Sequence, residues 1–297
     1  MKKSLASPYL LLTLTSLFWS GNMVIGRGLR DAVPPLSLAF WRWAIALALV
    51  LPFALPHLRR QWPQLKAAWP ALLVLGLLGV GGYNTFAYIA LQYTTATNAT
   101  LLNSFIPIAT IALAFALLGK RLRRLETIGV VVSLAGVMTI VGQGSFATLL
   151  GFSLNTGDLW MLLAVVTWGL YTVGLQWRPH GVHPMLMLAA FTVVGLAALG
   201  PAYLWELDQG RSITMSPATL AGIVYTGIFP GFLGYVFYNA GVAAVGPSRG
   251  SLFIHLMPVF GTILAAVFLG ERPLWYHFVG IGLVFAGIFL TTRKATD

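Results

Sequence analysis

The chain has 297 residues, of which 58% are hydrophobic and 8% are charged, and it contains no Cys. A soluble globular domain carries about 25% charged residues, so this composition excludes that class. Intrinsic disorder is excluded because the hydrophobicity is too high, and a disulfide framework needs cysteine. The net charge of +11 does not predict a nucleic-acid partner, because the bases are spread between long uncharged segments instead of forming a patch.

The uncharged segments predict an all-α integral membrane protein with ten transmembrane helices. A crossing needs about 20 apolar residues, and continuously apolar runs favour helices over barrel strands. In chain order, the predicted spans are residues 8–29, 34–57, 68–90, 96–118, 124–142, 157–177, 184–205, 216–240, 248–269 and 274–292. The first is predicted to be a membrane helix and not a signal peptide, because its apolar run continues through Met23-Val24-Ile25 without a small-x-small cleavage site.

The distribution of Lys and Arg predicts the orientation. With a cytoplasmic N-terminus, thirteen of the eighteen bases lie on the cytoplasmic side and four on the other, while Arg42 lies within the second span. Cytoplasmic loops of membrane proteins carry the excess of Lys and Arg. We therefore expect both termini to be cytoplasmic, in a multi-pass protein of the cell inner membrane surrounded by the lipid bilayer.

An internal repeat relates the two halves of the chain. At an offset of 151 residues, spans three to five align with spans eight to ten; the identities include Leu101/Leu252, Pro107/Pro258, Gly119/Gly270, Arg121/Arg272, Gly129/Gly280 and Gly136/Gly287. Five spans is an odd number, so the second repeat is inverted relative to the first. The predicted repeats are residues 1–142 and 157–297, joined by a linker at 143–156. Inverted repeats predict a substrate site near the midplane and alternating access.

Motifs in both repeats resemble the EamA domain. They are Trp19-Ser20-Gly21-Asn22, Leu38-Ala39-Phe40-Trp41-Arg42-Trp43, Phe105-Ile106-Pro107, Leu118-Gly119-Lys120-Arg121, Leu256-Met257-Pro258 and Phe268-Leu269-Gly270-Glu271-Arg272. The resemblance covers nearly the whole chain and implies the drug/metabolite transporter superfamily, ten helices and export of small metabolites. Within the superfamily, the chain looks most like the YddG type of amino-acid exporter. Lys120 departs from the pattern. The family usually has Glu at this position, and the second repeat keeps it as Glu271.

Polar and aromatic side chains inside the spans are the candidate lining of a central cavity. Asn84 and Tyr88 share a helical face, and their equivalents at offset 151 are Tyr235 and Asn239, the same two residue types in swapped order. The candidate substrate-binding residues are Trp19, Asn22, Tyr83, Asn84, Tyr88, Thr100, Asn103, Trp168, Tyr171, Tyr235, Tyr238, Asn239, Ser251 and His255. Alternatives stay open for single residues, since hydroxyls in spans often bond the backbone and aromatics often sit at membrane interfaces.

Two ionisable residues lie inside spans. Arg42 either holds an anionic group such as a substrate carboxylate, or serves structurally by binding backbone carbonyls or extending toward the membrane surface. His255 is either a buried neutral residue or a group that titrates during transport. None of the seven carboxylates lies mid-span, and Glu206 and Asp208 are expected outside the bilayer. The sequence therefore predicts a facilitator or a weakly coupled carrier that moves substrate down its own gradient.

The sequence lacks a phosphate-binding Gly-rich loop with Lys-Ser/Thr and a metal-ligand cluster, so no ATP-driven pump, cofactor or metal is expected. We expect a monomeric exporter of small metabolites, with amino acids favoured. The alternatives are a carrier of other metabolites or drugs with proton coupling through His255, a membrane enzyme acting on lipids through Ser251 and His255, and a passive channel.

Overall fold

The computed structural model describes residues 7–150, 155–269 and 272–292, and within these ranges the regular structure is helical throughout. Several predicted features lie outside the described residues. They are the terminal bases Lys2, Lys3, Arg293 and Lys294, the acidic Glu271 and part of the linker, 151–154. The described remainder of the linker contains a one-turn helix, Phe146–Leu150.

Ten helical segments follow one another along the chain, five in each repeat. In the first repeat they are α1 Pro8–Gly28, α2 Pro35–Ala67, α3 Trp69–Tyr93, α4 Ala96–Asn103 continued as Ile106–Leu118, and α5 Arg124–Val141. In the second they are α6 Thr156–Trp177, α7 Pro184–Asp208, α8 Pro217–Val245, α9 Pro247–Leu252 continued as Leu256–Leu269, and α10 Trp275–Thr292. Nine helices within the described ranges are long and apolar enough to cross a membrane. The predicted all-helical fold of two inverted repeats is confirmed.

Helix ends follow the local sequence. Proline occupies the first turn of α1, α2, α7 and α8, where its missing N–H is not needed by the helix. The Glu126 carboxylate caps α5 by accepting from the Arg123 N–H, and Asn155 with Asp158 forms a reciprocal capping box at α6. Pro107 and Pro258 also lie in the first turn of a helical segment, after the breaks in α4 and α9, so neither removes a mid-helix hydrogen bond.

The predicted end of the second span, at residue 57, is wrong. Helix α2 runs for 33 residues to Ala67 and passes through three prolines. Tertiary contacts hold the extension: the Gln61 side chain accepts a hydrogen bond from the His183 N–H at 2.8 Å, and Leu65 is buried. These contacts outweigh the loss of one backbone hydrogen bond at each proline.

Two π-helical turns occupy equivalent positions in the repeats. They span Leu77–Gly82 in α3 and Gly227–Leu233 in α8, which coincide within one residue at the offset of 151. A π-helical turn widens the helix and leaves backbone carbonyls without their usual partners, and such turns are frequent at functional sites. Both turns face the centre of the molecule, where the candidate residues meet.

Helices α5 and α10 pack closely through glycine. A Cβ on Gly129 would meet the backbone carbonyl of Gly287, and one on Gly136 would meet that of Gly280. The four glycines form two pairs that the repeat exchanges, because Gly129 is equivalent to Gly280 and Gly136 to Gly287. Small residues that bring backbones together are a common way to join helices in membranes.

Candidate functional site

A buried polar network surrounds Arg42. Its Nη1 donates to Asn22 Oδ1 at 3.1 Å, to Asn84 Oδ1 at 2.6 Å and to Tyr88 Oη at 2.9 Å. The Tyr88 hydroxyl in turn donates to Asn22 Oδ1 at 2.8 Å. Helices α1, α2 and α3 each contribute to this network, so three of the predicted site residues meet at a positive charge. The centre of the molecule therefore holds one buried cationic side chain.

Both structural roles predicted for Arg42 differ from what is observed. The side chain is 1% exposed, so it does not extend to the surface, and its bonds go to neutral side chains instead of backbone carbonyls. Its aliphatic part lies against the π-helical turn of α8, where a Cβ on Gly231 would be 3.5 Å from Arg42 Cγ. The glycine of that turn thus makes room for the arginine.

A buried aromatic cluster lies beside the network. The Trp19 and Trp168 rings meet edge to face with centroids 4.9 Å apart, and Tyr235 and Tyr238 contact both. Tyr83 and Tyr171 complete the cluster around Trp168, at 4.8 and 5.0 Å. Edge-to-face and tilted arrangements of this kind are the favoured geometries of aromatic pairs. The cluster draws on both repeats, as the repeat-paired positions predict.

The hydroxyls of the cluster are hydrogen-bonded within the described residues. Tyr83 donates to Asn103 at 2.9 Å, and Tyr171 donates to Asn239 at 2.8 Å. Tyr238 bonds Thr172 at 2.9 Å and accepts from Trp168 Nε1 at 3.3 Å. These bonds satisfy groups that would be costly to bury alone.

The two π-helical turns are each tied to this cluster by a carbonyl. Trp19 Nε1 donates to the Pro230 carbonyl at 3.1 Å, and the Tyr235 hydroxyl donates to the Gly79 carbonyl. Gly79 and Pro230 occupy equivalent positions at offset 151. The wide turns therefore present equivalent carbonyls to aromatic side chains at the centre, although the two donors, Trp19 on α1 and Tyr235 on α8, are not equivalent residues.

Repeat-equivalent residues touch each other at the centre. Asn84 Nδ2 donates to the hydroxyl of its equivalent, Tyr235, at 3.1 Å. His255 Nε2 lies 2.9 Å from the carbonyl oxygen of its own equivalent, Ser104. Equivalent residues touch each other close to the pseudo-two-fold axis that relates the two repeats. Because Asn84 belongs to the network and Tyr235 to the cluster, this axis runs through both.

Three predicted residues lie away from the network and the cluster. His255 bonds Ser133 Oγ at 2.8 Å as well as Ser104, and the Ser251 hydroxyl donates to the Ser248 carbonyl at 3.1 Å. The pairing of Ser251 with His255 that an enzyme would need is therefore replaced by other bonds. Thr100 lines a cavity instead.

A cavity of about 530 Å³ opens on one side of the molecule. Its lining includes Val24, Thr100, Pro258, Arg272 and His277. Its volume lies within the range of about 300–1,000 Å³ that is usual for small-molecule sites. We call this side the cavity side. Asn22, which bonds Arg42, precedes Val24 by two residues on α1.

The side of the molecule opposite the cavity side carries an ion pair. We call it the basic side, because it bears the segment from Lys120 to Arg124. Here Arg249, at the start of α9, donates through Nη2 and Nε to Glu126 Oε1 at 2.6 and 2.9 Å. A smaller cavity of about 210 Å³ lies around this pair. The ion pair joins the two repeats on the basic side.

A third cavity, of about 330 Å³, also lies on the basic side between α6, α7 and α8. Asn239, Arg178 and His183 contribute to its lining. Partial burial, and then the neighbouring His57, lower the pKa of His183 below its ordinary value. The two histidine rings are stacked with centroids 3.9 Å apart.

Several groups that the structure brings to the site were not among the predicted substrate-binding residues. Trp43 is fully buried and contacts Tyr235 edge to face at 4.6 Å, and Glu126 pairs with Arg249 on the basic side. The motif Phe40-Trp41-Arg42-Trp43 is the signal that could have found Trp43. The ion pair left no comparable signal, because its members are 123 positions apart.

The chain is similar to known transporters over nearly its whole length. A sequence profile of the EamA-like transporter family matches residues 6–142 and 155–293. An uncharacterized transporter of Archaeoglobus fulgidus is 33% identical over 96% of this chain and 97% of its own length. A probable terminal-alkyne amino-acid exporter of Streptantibioticus cattleyicolor is 26% identical over 95% of this chain and 92% of its own. A crystal structure, described only as that of a protein, superposes with a TM-score of 0.76 at 22% identity, covering 97% of both chains, and shows the fold alone.

Proposed function

Since the chain belongs to the EamA-like transporter family, we propose that this multi-pass membrane transporter exports small metabolites, with amino acids as its principal substrates. The two repeats, residues 1–142 and 157–297, act as the halves that move against each other. Both termini are cytoplasmic in the inner membrane, so the basic side faces the cytoplasm, as the excess of Lys and Arg favours. The protein works as a monomer, because one chain carries both halves.

The contact between the equivalent residues Asn84 and Tyr235 carries this proposal. It supports an axis between the halves that passes through a site of polar groups around Arg42 and of aromatic rings. Transporters with inverted repeats bind substrate at such an interface and expose it to the two sides in turn. The large cavity on one side and the Glu126–Arg249 ion pair on the other fit an outward-facing state.

The substrate class follows from the chemistry of the site. Asn and Tyr side chains offer hydrogen bonds to ammonium and carboxylate groups, and the aromatic rings contact apolar or aromatic side chains. The relative from Streptantibioticus cattleyicolor, named as a probable amino-acid exporter, supports the same class. The substrate site on this proposal comprises the cluster and the network, with Thr100 in the vestibule that leads to them.

We propose transport without a coupled ion. The buried carboxylates Asp158 and Glu206 are engaged near helix ends: Asp158 accepts from Thr94 at 2.7 Å, and Glu206 accepts from the Ser37 N–H at 2.7 Å. His255 has hydrogen-bond partners at both ring nitrogens. The bonds of His255 and Ser251 to other partners also favour transport over lipid hydrolysis.

Reconstitution in liposomes tests the proposal. Radiolabelled amino acids, nucleosides and sugars are offered to protein-containing and empty liposomes, with and without an imposed pH gradient. We expect saturable flux of neutral amino acids that competes with unlabelled substrate and is unchanged by the gradient. Flux linear in concentration would indicate a passive channel. Uphill accumulation driven by the gradient would contradict uncoupled transport and make His255 the coupling group.

A further inference from the structure

The positive charge of Arg42 is buried among neutral groups. A guanidinium stays charged in proteins and carries five N–H donors. Among the described residues, its hydrogen-bond partners are two amide oxygens and a hydroxyl, all at Nη1, and Nε is a buried donor without a partner. Buried charges in proteins are normally paired with an opposite charge, because desolvation is costly otherwise.

The buried carboxylates and the ion-paired carboxylates of the described residues are engaged elsewhere. Within the described ranges, the ion pairs are Arg30–Asp31 and Arg249–Glu126, and neither includes Arg42. Glu206 accepts from two backbone N–H groups and a hydroxyl at the start of α2, and Asp158 caps α6. Arg42 thus has a guanidinium suited to a carboxylate while the protein's own buried carboxylates are used to cap helices.

The surroundings of Arg42 suit a particular kind of anion. The guanidinium carbon lies 5.4 Å from the centroid of the Trp43 ring, and Trp43 contacts the aromatic cluster through Tyr235. A molecule bound here would meet a planar cation at one end and aromatic faces at the other. Planar guanidinium groups bind carboxylates through two parallel hydrogen bonds, whereas aromatic faces favour an apolar group.

We propose that Arg42 binds the carboxylate of the transported molecule, and that the substrates are small carboxylic acids with an apolar side chain, neutral α-amino acids among them. This rests on the proposed function and names the residue that sets its specificity. Asn22, Asn84 and Tyr88 hold the guanidinium in place, so the carboxylate meets a charge that is already oriented. Substrate binding supplies the opposite charge that the described residues do not.

Ligand-induced stabilisation of the purified protein tests this without depending on transport. Four compounds share one aromatic group: phenylalanine, 3-phenylpropanoate, phenylalaninamide and phenethylamine. We expect the two carboxylates to raise the melting temperature, and the amide and amine to need about tenfold to hundredfold higher concentration for the same shift. Leucine and leucinamide repeat the comparison for a smaller side chain. Equal stabilisation by amides, or none by any of the acids, would overturn the proposal.

Variants at Arg42 assign the preference to this residue. Arg42→Gln should abolish the preference for acids over amides, and Arg42→Lys should reduce it, because a lysine keeps the charge but loses the two parallel hydrogen bonds. Arg30→Gln, at a half-exposed arginine, is the matched control and should keep the full preference. If Arg42→Gln does not fold, the Lys variant and the wild-type comparison decide. An undiminished preference in a folded Arg42 variant would leave this residue a structural role only and overturn the proposal.

Flux separates this proposal from the broader one. Liposome transport of the same compounds is measured alongside the melting temperatures. Acids that stabilise the protein but are not transported would contradict the proposed function and support the role of Arg42. Transport of the amides as fast as of the acids would support the proposed function and overturn the role of Arg42.

Discussion

Glu126 and His277 occupy equivalent positions of the two repeats and make the same capping bond. Glu126 Oε2 accepts from the Arg123 N–H at 2.9 Å, and His277 Nδ1 accepts from the Leu274 N–H at 2.9 Å. The capping bonds of Glu126 and His277 match, but the residues that face them from the other repeat differ. Glu126 also pairs with Arg249, whereas the residue equivalent to Arg249 is Asn98. The basic side therefore has an ion pair between the repeats at the positions that hold His277 and Asn98 on the cavity side.

Loss of the ion pair should loosen the basic side. In Glu126→Gln, we expect a single cysteine at Ser248 to be labelled by a thiol reagent about twofold to fivefold faster, as loss of an ion pair worth about 0.5–1 kcal/mol would allow. The chain has no native Cys, so every label reports the introduced site. Asp31→Asn removes an exposed ion pair on the cavity side and serves as the control. Unchanged labelling in Glu126→Gln would contradict a closing role for the pair.

Removing the Tyr235 hydroxyl should weaken both the protein and its transport. In Tyr235→Phe, the Asn84 amide loses an acceptor and the Gly79 carbonyl loses a donor, so we expect the free energy of unfolding to fall by about 1–3 kcal/mol. Flux should fall more than protein yield, because the bond joins the two halves. Thermal unfolding in detergent and liposome flux measure the two effects. Tyr93→Phe, at a side chain 63% exposed, is the control and should change neither.

The glycine contact between α5 and α10 should not tolerate a methyl group. A Cβ on Gly287 would meet the Gly129 carbonyl and the Ser133 backbone nitrogen, so we expect Gly287→Ala to cost about 1–3 kcal/mol by overpacking. Gly282, on the same helix, has open space where its Cβ would lie. Gly282→Ala should therefore be neutral or stabilising. Equal melting temperatures of the two variants would contradict a close contact between α5 and α10 at Gly287.

Acid should destabilise the contact between His57 and His183. The pKa of His183 is lowered in the folded protein, so the unfolded chain binds more protons as the pH falls below about 6.5. Stability is therefore present at neutral pH and lost as the pH falls toward the lowered pKa. His183→Asn keeps a residue that caps α7 well but does not titrate. Its melting temperature should fall less than that of the wild type between about pH 7.5 and pH 5.5. The same fall in both proteins would assign the acid sensitivity to other groups.

The offset of 151 residues predicted much of the fold and the composition of the centre. It paired Asn84 with Tyr235, and the structure places these two in contact. Such pairing is informative because a residue on the axis that relates the two repeats must lie next to its own equivalent. The spans could be found because a membrane demands a length of apolar chain that sequence shows directly.

The partners of Arg42 could not be predicted in the same way. Periodicity assigns a residue to a helical face, but it does not say which helix packs against that face. The sequence did not indicate that Glu206 is buried and caps α2, which follows from α7 ending beside the start of that helix. The length of α2 likewise depends on the contact of Gln61 with His183, which joins distant parts of the chain.

Reversible cross-linking of the two halves tests the central claim most directly. Cysteines at Glu126 and Arg249 are joined by a short, thiol-cleavable bifunctional reagent in protein reconstituted in liposomes. Each single-cysteine variant receives the same treatment as a control. Alternating access predicts that cross-linking stops saturable amino-acid flux and that a reductant restores it, while the single variants are unaffected. Undiminished flux through the fully cross-linked protein would contradict transport by opening of the basic side.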